Sequence, residues 1–253
     1  MRRWAWVVMG VLLGGCHGGA SGSGASEPRH TGGAASPEAV KAHMDAHFEV
    51  LATARDAVIR GDLDGAKAAL TTLATHPTAE GLPEGWQPYV AELRTRAMDA
   101  EKVNDLQQAG PKVAEVAAEC GACHQAMGAS VKPWAPARPE PDMSRHAWGM
   151  ERLWDSLVVP DAAAWTSGTA ALSEVLRVRE VDGKSEPMPL IVHVFAERVR
   201  RLAGAGAHAS TPGERADLYG QLLHACAACH GRLGVDPAVA APAPAPAASD
   251  AAK

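Results

Sequence analysis

Two short segments of the sequence combine cysteine and histidine in the same order. Residues 120–124 read Cys-Gly-Ala-Cys-His, and residues 226–230 read Cys-Ala-Ala-Cys-His. On a helix, positions i, i+3 and i+4 share one face, so the two thiols and the imidazole of each segment lie together. Cys-x-x-Cys-His is the attachment pattern of c-type haem, in which the thiols form thioethers and the histidine binds iron as its proximal ligand. The pattern predicts two covalently bound haem c groups.

The predicted haem-binding set contains four thiols and two imidazoles. Its members are Cys120, Cys123 and His124 in the first segment and Cys226, Cys229 and His230 in the second. Paired Cys-x-x-Cys segments can also bind zinc or form a redox-active disulfide. Neither alternative explains why a histidine follows both pairs.

The fifth cysteine, Cys16, ends a short apolar segment. Arg2 and Arg3 precede the apolar residues 4–13, which are typical of a secretory signal and too few for a permanent membrane span. Residues 13–16, Leu-Gly-Gly-Cys, resemble the lipobox of bacterial lipoproteins, which implies cleavage after residue 15 and a lipid anchor on Cys16. His17 replaces the aspartate of an inner-membrane retention signal, so the resemblance implies the outer membrane, facing the periplasm. An ordinary signal peptide with an incidental cysteine is the alternative.

The charge balance is acidic. Loss of the first fifteen residues removes Arg2 and Arg3 and no acidic residue, so the net charge changes from −5 to −7. No basic run follows residue 3, so the composition gives no reason to expect nucleic acid as a partner. It favours basic redox proteins of the cell envelope, with membrane contact through the lipid anchor.

Three segments of biased composition divide the chain. We predict a flexible Gly/Ser/Ala-rich tether over residues 16–36, a Pro-rich linker over 129–141 and a disordered Ala/Pro tail over 235–253. The remainder forms two units, 37–128 and 142–234. Both units contain runs of helix-favouring residues and lack the alternation typical of strands, which predicts an all-α fold.

Each unit is predicted to contain four helices. The expected ranges are 38–60, 62–75, 84–103 and 105–127 in the first unit, and 142–158, 161–176, 187–204 and 212–232 in the second. Pro111 is expected to kink or restart the fourth helix. Thr211 and Glu214 predict a capping box at the start of the last helix, with Pro212 in its first position. Short connections between the helices predict two tandem four-helix bundles, each with its haem motif on the last helix.

The two units also align with each other. An offset of 99 residues superposes four pairs without a gap: Met44 on Met143, His47 on His146, Asp56 on Asp155, and Asp62 on Asp161. The haem motifs are offset by 106 residues. These matches indicate an internal duplication.

A haem motif that closes a helical unit resembles the class II cytochromes c, the cytochrome c′ family of four-helix bundles. The resemblance covers roughly residues 38–127 and 142–232. Beyond the haem motif it depends on the architecture and on a short stretch of the first helix, residues 37–41. It implies that a first-helix residue faces the sixth coordination position of iron. The matched stretch puts His47 there, and the repeat then gives His146.

The hydrophobic pattern agrees with these two candidate ligands. His47 and His146 lie in the middle of apolar stripes formed by residues 40–58 and 143–157. Met44 and Met143, one turn earlier, are the competing ligands, and His43 is a weaker alternative. All of them could instead be plain core residues.

The remaining polar candidates are not expected to bind iron. His193 is assigned to core or surface, and His224 lies on the same helix as His230, so both cannot bind one iron. Solvated positions are expected for the other histidines and for two arginines that could otherwise reach haem propionates: His17, His30, His76, His208, Arg55 and Arg152.

Two six-coordinate haems predict electron transfer, because such iron leaves no open site for substrate chemistry. We therefore expect an electron carrier rather than an enzyme. Binding of a gas such as nitric oxide is the alternative, since the resemblance permits it where the sixth position is open. A haem peroxidase is disfavoured, because no distal acid–base pair is recognisable in the sequence. The resemblance is also compatible with a homodimer.

The lipid anchor leads to the first testable prediction. Replacing Cys16 by serine removes the only acyl acceptor of the lipobox, so the exported variant should appear in the soluble fraction without incorporated fatty acid. Cell fractionation and labelling with radioactive palmitate measure this, with the wild-type chain as the control. The lipoprotein prediction would be contradicted if the variant still fractionated with membranes and the wild type incorporated no labelled palmitate.

Overall fold

A computed structural model describes residues 35–78, 81–129, 131, 137–139, 142–175, 180–181, 184–185 and 189–234. The predicted signal peptide at 1–15, the lipidation site Cys16 and the tail at 235–253 lie outside the described residues. So do nearly all of the tether and most of the linker.

The described residues form eight α-helices, which confirms the all-α class. They are α1 Pro37–Arg60, α2 Leu63–Thr75, α3 Gln87–Ala100, α4 Leu106–Ala126, α5 Met143–Val158, α6 Ala162–Leu172, α7 Leu190–Gly206 and α8 Pro212–Leu233. A 3-10 turn, Glu84–Trp86, precedes α3, and two short strands, β1 Glu180–Val181 and β2 Lys184–Ser185, pair antiparallel. Among these helices, none combines the length and apolar character that crossing a membrane requires.

Three predicted helices differ from the observed ones by more than one residue; the helix expected over 187–204 is observed as Leu190–Gly206. The helix expected over 84–103 begins as the 3-10 turn and ends at Ala100, and the helix expected over 161–176 ends at Leu172. Pro111 neither interrupts nor restarts α4, which continues through it. Pro111 lies near the start of α4, where the missing N–H costs a single intrahelical hydrogen bond.

Side-chain caps define the helix starts. The predicted capping box at α8 is confirmed, with Thr211 accepting from the backbone N–H of Glu214. Asp62 caps α2, and Asp161, its partner in the repeat, caps α6. The same residue therefore has the same local role in both halves, as a duplication requires.

Each half closes on itself through neighbouring helices. In the first half α1, α2, α3 and α4 pack in chain order, and α4 returns to α1; α5 to α8 repeat this pattern. The most extensive packing of two helices, however, joins α4 to α8 across the halves, and α4 also packs on α5 and α8 on α1. Buried apolar side chains of both halves form one continuous cluster instead of two separate cores.

The α4–α8 contact depends on two glycines. A Cβ atom on Gly110 would lie 2.5 Å from the carbonyl oxygen of Gly220, and one on Gly220 would collide with the backbone of Pro111. Only glycine permits backbones to approach this closely. The two helices that carry the Cys-x-x-Cys-His segments are thus packed backbone against backbone.

Arg55 does not lie on a solvated face, so that prediction was wrong. It is 8% exposed and forms ion pairs with Asp56 at 2.7 Å and with Glu151 of α5 at 3.2 Å. Its guanidinium also lies 5.0 Å from the ring centre of Trp154. A buried cation needs such partners, and here two of them come from the other half of the chain.

The prediction for Arg152 was also wrong. It is 7% exposed, with Asp155 at 3.4 Å and Asp161 at 3.8 Å. Both aspartates belong to the set that aligns the two halves. Helical periodicity places an arginine on a face but does not reveal which side chains will cover that face in the folded chain.

The glycine contact provides a test of this packing. Replacing Gly220 by alanine should destabilise the fold by about 1–3 kcal/mol, because the added methyl group overpacks the α4–α8 contact. Replacing Gly213 by alanine is the matched control, because Gly213 lies on the same helix and an added Cβ there has no neighbour within 4 Å. This variant should not lose a comparable free energy of unfolding. Urea unfolding followed by circular dichroism measures both. Equal stability of the two variants would contradict the close contact.

Candidate functional site

The first Cys-x-x-Cys-His segment lines an apolar pocket at the end of α4. The cavity volume of this pocket is about 70 Å³, smaller than the about 300–1,000 Å³ typical of small-molecule and cofactor sites. Cys120, Cys123 and His124 lie on one wall. The remaining lining residues are Met44, Asp45, His47, Phe48, Trp86, Tyr89, Val90, Leu93, Glu119, Val131 and Val158.

His124 is fixed by a backbone carbonyl of the other half. Its Nδ1 lies 2.7 Å from the carbonyl oxygen of Val158, at the end of α5. A carbonyl can only accept, so Nδ1 carries the proton. Burial lowers the pKa of His124, although the bond to Val158 opposes this. The result is a neutral imidazole in the tautomer that binds a metal through Nε2.

Gly121, inside the motif, lies against the same end of α5. A Cβ atom there would collide with the carbonyl oxygen of Leu157. The absence of a side chain lets the motif approach the last turn of α5 closely enough for His124 to reach Val158. The second half of the chain therefore orients the first motif.

The four motif cysteines are free thiols. Burial raises the pKa of Cys120 and of Cys226 to about 12 each, and it also raises the pKa of Cys123 and of Cys229. Thiols of this kind stay protonated at neutral pH. Redox-active Cys-x-x-Cys pairs instead have lowered pKa values, so this environment does not favour a redox-active disulfide.

Helix α1 also contributes side chains to the lining of this pocket. Met44 and His47, the two candidate ligands from this helix, both line the pocket that contains His124. His47 is buried, and burial, followed by the charges of His43, His76 and Arg94, lowers its pKa to about 3. It is therefore neutral at pH 7. The structure thus brings both first-helix candidates to the first motif.

The second pair of histidines lies on helices that pack together, α5 and α8. His146 is 8% exposed, and burial lowers its pKa to about 4. Its Nε2, like Nδ1 of His230, has no hydrogen-bond partner in the described ranges. Buried polar atoms normally have a hydrogen-bond partner. Two buried imidazole nitrogens without such a partner are expected where a bound group would contact them.

Met143 is a poorer candidate than His146. It is 51% exposed, whereas His146, one turn later on α5, faces the core. Met44 is less exposed and lines the first pocket. The two methionines that the repeat aligns are thus placed differently in the two halves.

His76 was predicted to be solvated, and this was wrong. It follows α2 as the C-cap residue, and its Nδ1 lies 3.2 Å from Nε2 of His47. With His43 it completes a cluster of three imidazoles that could hold a metal ion. The spacing of His43 and His47, four residues apart on one helix face, was the signal available in the sequence. The position of His76, 29 residues beyond His47, depends on how α2 folds back.

Comparison with known proteins identifies no relative: no family model, no curated protein and no solved structure matches the chain. Its function must be inferred from the chemistry of these residues.

Proposed function

We propose that the chain is a membrane-anchored cytochrome with two covalently bound haem c groups that transfers electrons between redox proteins of the cell envelope. One observation carries the proposal. Two thiols and a neutral imidazole, its Nδ1 held by Val158, line the same apolar pocket as His47.

The donor set fits haem at both motifs. Cys120 and Cys123 would form the thioethers in the first half, and His124 would bind iron through Nε2. Cys226, Cys229 and His230 would do the same in the second half. Each half would then be a four-helix bundle similar to a class II cytochrome c, with its haem on the last helix.

Electron transfer is the favoured activity because neutral histidines are available for the sixth position. His47 lines the first pocket, and His146 offers an unpaired buried Nε2 for the second site. The bound iron would supply the one-electron redox change. The protein's own contribution would be to hold two imidazoles per iron, to surround them with apolar side chains and to exclude water.

Gas binding is the second candidate, and one observation favours it at the first site. Nε2 of His47 lies within hydrogen-bond distance of His76 rather than being unpaired as in His146. If His47 kept that partner, the sixth position of the first iron would be open or bound by Met44. A carbon monoxide spectrum distinguishes these states.

The cellular setting is part of the same proposal. A lipid anchor on Cys16 would hold the protein at the outer membrane, facing the periplasm, where c-type haem is available. The acidic net charge would favour basic redox partners, and nucleic acid is not expected. A homodimer is compatible with the resemblance to class II cytochromes.

The covalent link gives a direct test. Acid–acetone extraction should leave the colour with the polypeptide, because thioether bonds survive conditions that release non-covalent haem. Intact mass spectrometry should find two haems added to each chain, and one haem in a variant with Cys226 and Cys229 both replaced by alanine. A single haem in the wild type, or one that extracts freely, would refute the proposal.

The distal ligands give a second test. Replacing His47 and His146 by alanine should convert both haems from low-spin, six-coordinate forms to high-spin forms that bind carbon monoxide, because each iron loses one imidazole. Visible spectra of the oxidised and reduced protein measure this, and circular dichroism checks that helix content is kept.

His193→Ala is the control for that test, since His193 is exposed on α7. Its spectra should match those of the wild type. Wild-type spectra in the double variant would mean that neither His47 nor His146 binds iron. A weak far-red sulfur-to-iron band in the oxidised wild type would instead assign the site to methionine.

A further inference from the structure

A compact group of three histidines lies beside the first pocket. His43 and His47 are four residues apart on α1, and His76 joins them from the end of α2. The ring centres are separated by 4.2 Å for His43–His47, 4.6 Å for His47–His76 and 5.3 Å for His43–His76. One ligand nitrogen from each ring lies within 4.8 Å of the other two.

We propose that His43, His47 and His76 form a binding site for a divalent transition-metal ion of the zinc or copper class. Imidazole is a preferred ligand of these ions, and three protein ligands with an open fourth position are a common arrangement. The ion would take His47 from the first iron. This second statement depends on the proposed function, whereas the metal site itself does not.

The distances suit a zinc-sized ion. Nitrogen ligands about 2.1 Å from a tetrahedral ion lie about 3.4 Å from one another. Nε2 of His47 and Nδ1 of His76 are already 3.2 Å apart, so this pair needs little movement. His43 offers an Nε2 that is buried and has no hydrogen-bond partner in the part of the chain that the structure describes.

Two electrostatic features of the cluster act in opposite directions on the binding of a metal cation. Burial lowers the pKa of His43 and of His47, so both rings are neutral at pH 7 and no proton has to leave before a metal binds. Arg94, which donates to the backbone carbonyl of His76, places a positive charge nearby. Three nitrogen ligands must outweigh that repulsion.

The cluster of the first half has no counterpart at the aligned positions of the second half. The offset that aligns His47 with His146 places Asp142 at the position of His43 and Val175 at that of His76. Asp142 caps α5 through its side chain, and Val175 is 70% exposed. The second site therefore lacks the two residues that compete for the distal histidine, and an added metal ion should affect one haem of the two.

The pocket lining separates the two roles of His47. His47 contributes to the pocket wall, whereas His43 and His76 are not among its lining residues. His47 thus lies between the pocket and the other two imidazoles. His76 can be replaced without removing a residue from the pocket, which makes it the informative position for mutation.

The experiment titrates Zn²⁺ into the full-length, haem-loaded protein after treatment with a chelator. Bound zinc is measured by competition with a chromogenic chelator, and visible spectra with and without carbon monoxide are recorded at each step. We expect one zinc ion per chain and conversion of one haem to a carbon monoxide-binding form. His43→Ala and His76→Ala should each weaken zinc binding by at least about tenfold. Loss of a residue that only hydrogen-bonds to a metal ligand already lowers metal affinity by about that factor, and loss of the ligand itself lowers it no less.

His208→Ala is the matched control, because His208 also follows the end of a helix but is exposed and outside the cluster. It should bind zinc like the wild type. His76→Asn provides a second variant in case the alanine variant folds poorly, and circular dichroism monitors both. Zinc binding that is absent in the wild type, or unchanged in the His43 and His76 variants, would overturn the metal site.

Two further results separate this inference from the proposed function. Zinc binding that depends on His76 but leaves both haem spectra unchanged would establish the metal site and overturn the competition for His47. A chain that carries no covalent haem would refute the cytochrome proposal, and the zinc titration of the same chain would still test the three histidines.

Discussion

The close approach of α4 and α8 is the constraint on which the rest of the structure depends. Gly110 and Gly220 let the two backbones touch, so the helices that carry both Cys-x-x-Cys-His motifs form one rigid centre. Helices α1 and α5 then pack on this centre from opposite halves. Because they carry His47 and His146, the candidate distal ligands are positioned by the same packing that joins the halves.

Local features of the fold followed closely from the sequence. Thr211, Asp62 and Asp161 cap their helices through short-range hydrogen bonds, which need no knowledge of the tertiary structure. The burial of His47 and His146 followed from apolar periodicity. These features depend on residues within one or two helical turns of each other, and this is the range in which sequence patterns are informative.

Features that depend on residues distant in the chain could not be predicted in the same way. Arg55 reads as a surface residue in its own helix, yet Glu151 and Trp154 from α5 bury it. His76 reads as a loop residue, yet the return of α2 brings it to His47. In both cases the decisive neighbour is distant in the chain, so only the folded structure reveals it. The same holds for the carbonyl of Val158 that orients His124.

That carbonyl has a consequence for whether the two halves can exist apart. Val158 and Leu157 belong to the second half, but they determine the tautomer and the seating of the motif in the first. A fragment ending at the linker would lack the acceptor for His124 and the surface that Gly121 fits. The first half is therefore not a self-sufficient module, because part of its own site is built by the second.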